Sequence, residues 1–240
     1  MRKIDVLNIK FDNITKNEAV SFALECIDNH TGSYVVTPNP EIVMEAAHNH
    51  SLMDALSNAS LVLPDGIGII YGARILGTPL REKVPGIDFA DDLMELLARR
   101  QGSVYLFGAK PGVAEKAGER LSEKYPGLVI CGCSDGYFED DSGIIEEINR
   151  KRPDLLLVCL GFPKQEIWMK EHKESLDVGI MAGLGGSLDV FAGNVNRAPA
   201  AWQRLGFEWL YRLIKQPSRI GRMMRLPLFL LCVIKKRVMK

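Results

Sequence analysis

Asp65 is the residue of this 240-residue chain whose surroundings most suggest a chemical role. It follows the apolar stretch Leu61-Val62-Leu63-Pro64 and precedes Gly66-Ile67-Gly68. This pattern is typical of a buried strand that ends at a turn and leads into a helix. A carboxylate there would face a ligand, because open α/β sheets bind ligands at the carboxyl ends of their strands. The structural alternative is that Asp65 accepts hydrogen bonds from the free amides that begin the helix.

Polar residues and glycines follow the other predicted strands in the same way. They are Thr37 and Asn39, Gly108 and Ala109, Gly136 and Tyr137, Gly161 and Gln165, and Gly185. Since parallel strands end at one edge of a sheet, we expect these residues to share a site with Asp65. Amides at the helix starts that follow favour a phosphate or diphosphate. Any single turn has a backbone explanation, because α/β turns use Gly, Pro and Asn anyway, but six together favour a nucleotide-type ligand.

The sequence disfavours a dinucleotide dehydrogenase, an ATPase and a metal-dependent site. The first predicted strand is followed by Lys10-Phe11-Asp12-Asn13 and not by Gly-x-Gly-x-x-Gly, which argues against a dinucleotide dehydrogenase. A Walker-type phosphate loop is also absent, which argues against an ATPase. We expect no metal cofactor, because no Asp-x-Asp motif follows a strand and Cys131-x-Cys133 has no second Cys/His pair nearby. A diphosphate that leaves without a metal needs cationic side chains.

The elements that would position these residues alternate between strand and helix through most of residues 1–190. Strands are predicted at 3–9, 34–37, 61–63, 103–107, 128–133, 154–160 and 178–182. The capping box Thr15-x-x-Glu18 predicts a helix start. The pattern indicates an α/β fold that is Rossmann-like, a mostly parallel sheet with helices on both faces. We predict a catalytic domain at 1–195 and a helical, basic C-terminal appendage at 196–240.

The appendage differs from the rest of the chain in charge. Residues 201–240 contain ten Lys or Arg and one acid, a net charge of +9, whereas residues 1–200 carry −9. A stripe of Trp202, Leu205, Trp209 and Leu213 predicts a helix that packs on the body. Residues 217–240 mix basic and apolar side chains, which favours an anionic membrane surface over the body. Nucleic acid is the weaker alternative and is not expected, because phosphate contacts do not need the apolar stretch at 228–231.

The chain has no signal peptide pattern and no stretch of roughly 20 apolar residues that would span a membrane. Cys26 and Cys159 are predicted to be small buried residues. The odd number of five cysteines favours a reducing cytoplasm. We therefore expect a cytoplasmic protein held peripherally at the inner face of the cell membrane, and an oligomer is compatible with the sequence.

Five motifs occur in order along the chain. They are Pro64-Asp65-Gly66-x-Gly68, Gly161-x-Pro163-x-Gln165-Glu166-x-Trp168, Gly185-Gly186-Ser187-Leu188-Asp189-Val190-x-Ala192-Gly193, Arg197-Ala198-Pro199 and Leu205-Gly206-x-Glu208-Trp209-x-x-Arg212-Leu213. Together they resemble the WecG/TagA/CpsF glycosyltransferase family over nearly the whole chain. The resemblance implies inverting, metal-independent transfer of N-acetylmannosamine or a related sugar. The donor would be a UDP-sugar and the acceptor a GlcNAc-diphosphate-polyprenol, as in wall teichoic acid synthesis.

The resemblance also implies roles for single residues. Asp65 matches the catalytic base, Thr37 and Gln165 match polar pocket residues, and Arg212 and Arg219 match arginines that hold the leaving diphosphate. The substrate site would further include Asn39, Gly108, Ala109, Gly136, Tyr137, Gly161, Gly185 and Asp189. Lys83 stands where the family commonly has arginine; lysine keeps the charge but loses the bidentate fork.

The base assignment is chemically reasonable. A sugar hydroxyl is a weak nucleophile, so an inverting displacement needs a carboxylate that takes its proton as the bond forms. A capping carboxylate would be less basic, because hydrogen bonds favour its charged form. We therefore expect Asp65 to face the pocket and not residues 67 and 68. The alternatives are a nucleotide-dependent oxidoreductase, and a nucleotide-sugar-binding or membrane adaptor in which Asp65 only caps the helix.

Overall fold

The structure, a computed structural model, describes residues 2–215 and 220–239, with the main chain only of residues 204, 212, 222 and 223. The strands are β1 (Lys3–Val6), β2 (Ile9–Asp12), β3 (Ser33–Val36), β4 (Leu61–Val62), β5 (Ser103–Gly108), β6 (Val129–Ser134), β7 (Leu155–Cys159) and β8 (Ile180–Gly183). The helices are α1 (Lys16–Asp28), α2 (Pro40–Ala46), α3 (His50–Ser57), α4 (Ile67–Ile75), α5 (Gly86–Arg99), α6 (Val113–Lys124), α7 (Ser142–Lys151), α8 (Lys164–His172), α9 (Ser187–Phe191), α10 (Ala200–Arg204), α11 (Glu208–Lys215), α12 (Ile220–Met223) and α13 (Arg225–Val238).

The centre of the fold is a six-stranded sheet in the order β4-β3-β8-β7-β5-β6, with every neighbouring pair parallel. Side chains alternate between its faces, as the period of a strand requires. Val35, Leu157 and Ala182 belong to a core shared with α1, α5 and α6. Tyr34 and Met181 belong to a second core, shared with α2, α3, α4 and α8. The predicted α/β fold, a parallel sheet with helices on both faces, is confirmed.

The N-terminal segment differs from the prediction. The single strand expected at 3–9 is an antiparallel hairpin of β1 and β2, separate from the main sheet. Leu7 and Asn8 make its turn with φ of 51° and 73°, a conformation that side chains other than Gly, Asn and Asp rarely adopt. Lys10 to Asp12, predicted to follow the first strand, belong to β2. The hairpin covers the sheet edge, where buried Asp12 accepts from the Val62 amide at 2.9 Å.

The strand order divides the six strand ends into two groups. The ends of β4, β3 and β8 are neighbours on one side of the sheet, and those of β7, β5 and β6 are neighbours on the other. The chain enters the sheet at β3, steps outward to β4, and then crosses to β5. Residues that follow one another in sequence as strand-end motifs therefore lie in different halves of the molecule.

The prediction that Trp202, Leu205, Trp209 and Leu213 form one apolar stripe along a helix is wrong. Gly206 has a φ of +76° and ends the helical path between α10 and α11, so the predicted stripe does not lie along one helix. Leu205, expected to face the body, is 66% exposed. The turn is held near the body by close packing, because a Cβ atom at Gly206 would lie 2.9 Å from Cγ1 of Ile67.

The last helix, α13, packs on the body, which corrects the expectation that the segment after Pro217 favours a membrane over the body. Phe229 and Val233 are fully buried in the second core, with side chains of the main sheet. Arg225 pairs with Glu45 at 2.7 Å, so part of the basic charge serves to attach the helix. The proposed boundary between residues 195 and 196 stays a prediction, since α13 shares its core with the catalytic part.

The opposite face of α13 is apolar and exposed. We call this face the outer stripe; it comprises Met224, Leu228, Leu231, Ile234 and Val238, the first directly before the helix. Successive members are three or four residues apart, so they lie along one side of the helix. Within the described residues, no helix combines the length and apolar character needed to cross a membrane.

Candidate active site

A cavity of about 220 Å³ opens at the carboxyl ends of β3, β4 and β8. Its lining includes the first residues of four helices, Pro40 of α2, Ile67 of α4, Gly86 of α5 and Ser187 of α9. Side chains from α11 and α13 complete the wall, namely Glu208, Trp209 and Leu226. The starts of the longer helices α4 and α5 present main-chain amides and the positive ends of their dipoles to the cavity.

Asp65 lines this cavity, at the end of β4 and directly before the turn into α4. Gly66, and not Asp65, is the N-cap residue of α4, and glycine supplies no capping side chain. Gly66 has a φ of +89°, which favours glycine and turns the chain sharply between the strand and the helix. Asp65 therefore lies one residue before the N-cap position and lines the cavity.

Thr37 and Asn39 line the same cavity from the end of β3. Thr37 is buried, and its hydroxyl donates to the carbonyl oxygen of Gly183 at 3.0 Å, which ties β3 to β8. Asn39 is the N-cap of α2, because its Oδ1 accepts from the Ile42 amide at 3.1 Å. The Oδ1 atom of Asn39 is thus engaged in the cap, and its Nδ2 amide is the group of this side chain that can donate to a ligand. Gly86 packs so tightly here that a Cβ atom would lie 2.8 Å from Thr37 Cγ2.

Gln165 and Gly185 lie next to the cavity but do not line it. The buried Gln165 accepts a hydrogen bond from the Gly185 amide through Oε1 at 2.9 Å. Gly185 begins the turn from β8 to α9, and the next two residues, Gly186 and Ser187, line the cavity. The predicted pair thus supports the lining instead of forming it. Asp189 lies one turn further, in α9, and is partly buried.

The remaining predicted residues form a separate group in the other half of the sheet edge. Gly136 and Ala109 are joined by a main-chain hydrogen bond of 2.9 Å, and the Ala109 amide donates to Cys159 at 3.1 Å. Gly108 has a φ of +124° and approaches Cys159 so closely that a Cβ atom would lie 2.4 Å from its carbonyl. The other two, Gly161 and the 69% exposed Tyr137, follow β7 and β6. None of these residues lines the cavity.

Arg212 and Arg219 are the two arginines predicted to hold the leaving diphosphate. Arg219 lies outside the described residues. Arg212 lies in α11, of which the structure gives the main chain at this position. Glu208 and Trp209 of the same helix line the cavity, so the helix that carries Arg212 borders it.

Several lining residues were not predicted from the sequence. Glu41 follows Asn39-Pro40 at the start of α2, and Glu208 and Trp209 lie within the last family motif, so signals existed for these three. No local sequence pattern indicated Leu226, because this side chain reaches the cavity only through the packing of α13 on the body. Lys83 also lines the cavity. The cavity therefore combines acidic residues with one lysine, Lys83, within the described side chains.

Arg197, in the fourth motif, fixes one wall. Both of its terminal nitrogens donate to Asp88 in the first turn of α5, Nη2 to Oδ2 at 2.9 Å. Its Nε lies 4.0 Å from the carboxylate of Glu208. Arg197 thus links the start of α5 to α11, the two helices that contribute Gly86 and Glu208 to the cavity.

Cysteine chemistry lies outside the cavity. Cys26 and Cys159 are buried, as predicted. Burial raises the pKa of the Cys159 thiol to about 12, so it is protonated at neutral pH. The described part of the chain contains no cluster of three or more His, Cys, Asp or Glu side chains arranged to hold a metal ion.

Residues 4–240 match the model of the family described as Glycosyl transferase WecG/TagA/CpsF. An N-acetylglucosaminyldiphosphoundecaprenol N-acetyl-beta-D-mannosaminyltransferase of Bacillus spizizenii is 37% identical over 209 residues, 87% of this chain and 81% of the relative. The protein of the same name from Staphylococcus aureus strain MW2 is 34% identical over 238 residues, 98% of this chain and 93% of the relative. The second similarity covers nearly the whole chain and therefore the elements around the cavity.

Proposed function

The chain belongs to the WecG/TagA/CpsF family of glycosyl transferases, and we propose from this premise that it transfers N-acetylmannosamine from a UDP donor to GlcNAc-diphosphate-undecaprenol. The observation that carries the proposal is the position of Asp65. It lines a cavity beside the starts of α4 and α5 in a chain whose relatives bear the name of this transferase. The product would enter a cell-surface polymer such as wall teichoic acid.

We place the donor nucleotide along the sheet edge, beside the cavity. Gly161, Gly185 and Gly186 are open there, since a Cβ atom at any of them would meet nothing within 4 Å. Exposed main chain of this kind can approach a ribose or diphosphate closely. The transferred sugar then lies in the cavity, with its anomeric carbon toward Asp65.

The proposed reaction is a single displacement. Asp65 takes the proton of the acceptor hydroxyl while the oxygen of that hydroxyl bonds to the anomeric carbon. The bond from that carbon to the diphosphate breaks on the opposite side, so the configuration inverts and UDP leaves with the bonding electrons. Helix amides stabilise the charge on UDP. The resemblance assigns the same task to Arg212 and Arg219, and no metal takes part.

The acceptor lipid suggests where the reaction occurs. We place the enzyme peripherally on the inner face of the membrane, with the outer stripe of α13 on the lipid. Exposed apolar side chains beside basic Lys235 and Arg237 suit an anionic surface. Leu226 connects this helix to the cavity wall, which brings a membrane-bound acceptor near Asp65.

The test is acceptor-dependent release of UDP. Purified protein is given UDP-N-acetylmannosamine and a GlcNAc-diphosphate lipid analogue, with and without a chelator, and the anomeric configuration of the product is read by NMR. We expect UDP release only with acceptor, no effect of the chelator, and inversion. No release would support the adaptor alternative, and a requirement for a nicotinamide cofactor would support the oxidoreductase. Loss of activity with the chelator would contradict the metal-independent mechanism alone.

A further inference from the structure

Glu166 is a buried acid beside Gln165, near the cavity lining, and it has no role in the proposed reaction. It lies in the first turn of α8 and is 1% exposed. Its Oε1 accepts a hydrogen bond of 2.8 Å from Nε2 of Gln165. Its Oε2 is buried and has no hydrogen-bond partner within the described residues. Burial raises the pKa of this carboxyl.

The bond from Gln165 to Glu166 determines what Gln165 can do with its other end. With Nε2 on Glu166, Oε1 faces the Gly185 amide and accepts from it at 2.9 Å. The reversed amide would place a donor against the Gly185 amide and an oxygen against Oε1 of Glu166. Both contacts would be lost, because a donor facing a donor makes no hydrogen bond, and neither do two acceptor oxygens that face each other. Glu166 therefore favours one of the two orientations of the Gln165 amide.

The contact at Gly185 reaches the cavity through two residues. Gly185 has a φ of +53°, and the following Gly186 and Ser187 line the cavity. On the strand side of this turn, the hydroxyl of Thr37 holds the carbonyl of Gly183 at 3.0 Å. The end of β8 is thus held by two buried side chains, Thr37 from one side and Gln165 from the other.

We propose that Glu166 is a positioning residue for the β8–α9 turn: it orients the Gln165 amide, which in turn holds Gly185 and so sets Gly186 and Ser187 against the substrate. Glu166 does not touch the reacting atoms and exchanges no proton during transfer. Its effect on transfer rests on the proposed function, whereas its effect on the turn does not. The two can therefore be measured separately.

The experiment compares four variants and one control variant with the wild type. Glu166→Gln keeps an acceptor for Nε2 of Gln165, whereas Glu166→Leu removes it. Gln165→Leu, alone and with Glu166→Leu, completes a double-mutant cycle. Glu171→Leu, at an exposed position of the same helix, is the matched control. Two quantities are read: hydrogen exchange of the Gly185 amide by NMR, and KM for the UDP-sugar alongside kcat.

We expect exchange at Gly185 to rise about tenfold or more in Glu166→Leu, the effect of losing one buried hydrogen bond. Glu166→Gln and Glu171→Leu should stay within about twofold of the wild type, since each keeps that bond. The double variant should exchange no faster than Gln165→Leu, because residues acting through one contact are not additive. In transfer, Glu166→Leu should raise KM for the donor more than it lowers kcat, and Glu166→Gln should restore both.

Contrary results are equally specific. Unchanged exchange at Gly185 in Glu166→Leu, or additive effects in the cycle, would overturn the proposal. If the wild type shows no transfer, the proposed function fails, while the exchange data still decide the role of Glu166. Should Glu166→Leu not fold, the Nε2 protons of Gln165 in the wild type give the answer. Slow exchange supports the bond to Glu166, and exchange at the rate of a solvent-exposed amide refutes it.

Discussion

The ring of Phe229 in α13 lies directly against Gly72 in α4, so closely that a Cβ atom at position 72 would stand 2.9 Å from Cζ. Gly68, one turn earlier in α4, packs against Leu226 in the same way, because a Cβ atom at position 68 would lie 2.5 Å from Cδ1 of Leu226. The helix that follows Asp65 is thus shaped to receive the last helix of the chain. Because α4 begins in the cavity, this packing connects the appendage to the site.

Phe229→Ala should destabilise the protein. The ring is fully buried, and its removal leaves a cavity that costs about 3–5 kcal/mol in comparable cores. The free energy of unfolding, measured in urea, should fall by an amount in that range. The neighbouring Leu228 is 51% exposed, so Leu228→Ala should change it by no more than about 0.5 kcal/mol. Equal effects of the two substitutions would show that α13 does not pack as described.

Asp65→Asn should remove transfer and leave donor binding. The amide cannot take the acceptor proton, and general-base catalysis typically contributes about 10²–10⁴-fold, so kcat should fall by that factor. The dissociation constant for UDP, measured by calorimetry, should change little, since Asp65 is placed on the acceptor side. Asp28→Asn, on the exposed end of α1, serves as the control. Turnover near that of the wild type in Asp65→Asn would refute the base assignment.

Leu231→Glu should weaken membrane binding without unfolding the chain. Leu231 is 62% exposed at the middle of the outer stripe, so the substitution adds a charge where we place lipid. Losing insertion of one leucine, with added repulsion from anionic lipid, should reduce vesicle binding about tenfold or more. Val129→Glu introduces the same charge at an exposed position of β6 and should bind vesicles like the wild type. Co-sedimentation with anionic vesicles that is equal in both variants would contradict the docking proposal.

Glu166→Gln should stabilise the protein at neutral pH but not in acid. Burial raises the pKa of Glu166 in the folded state above its usual value of 4.5. Between these two pKa values the unfolded chain releases a proton that the folded chain keeps, so the acid costs stability as the pH rises. Below about pH 4 both states hold the proton and the cost disappears. Urea unfolding at pH 7 and pH 4 should therefore show a gain for the variant only at pH 7; a gain of equal size at both would contradict the shift.

Much of the fold followed from local sequence signals. Thr15 and Glu18 predicted a capping box, and both hydrogen bonds of that box are present. The strand ends were predictable because apolar runs stop at Gly, Pro or Asn. The N-terminal hairpin was missed because its turn consists of Leu7 and Asn8, and a leucine with positive φ gives no turn signal.

The site was predicted in composition more than in arrangement. Thr37, Asn39 and Asp65 line the cavity because β3 and β4 are neighbours in the sheet. Gly108 and Gly136 lie elsewhere, because β7 and β8 separate β3 from β5. Strand order depends on long-range packing, which local patterns do not encode. The same holds for Leu226, whose place in the wall requires the whole body to be folded.

The contact between Asp12 and Val62 has a consequence for how copies of this chain can meet. The amide of Leu63, directly after the outermost strand β4, donates to Val36 of β3 at 2.9 Å. Successive amides of an extended chain point to opposite sides, so the amide of Val62 points outward, where another chain could add a strand. A buried carboxylate from the hairpin already occupies that donor. A second copy of the chain is therefore blocked from adding a strand beside β4. Such an assembly would have to begin at β6, the other edge strand of the sheet.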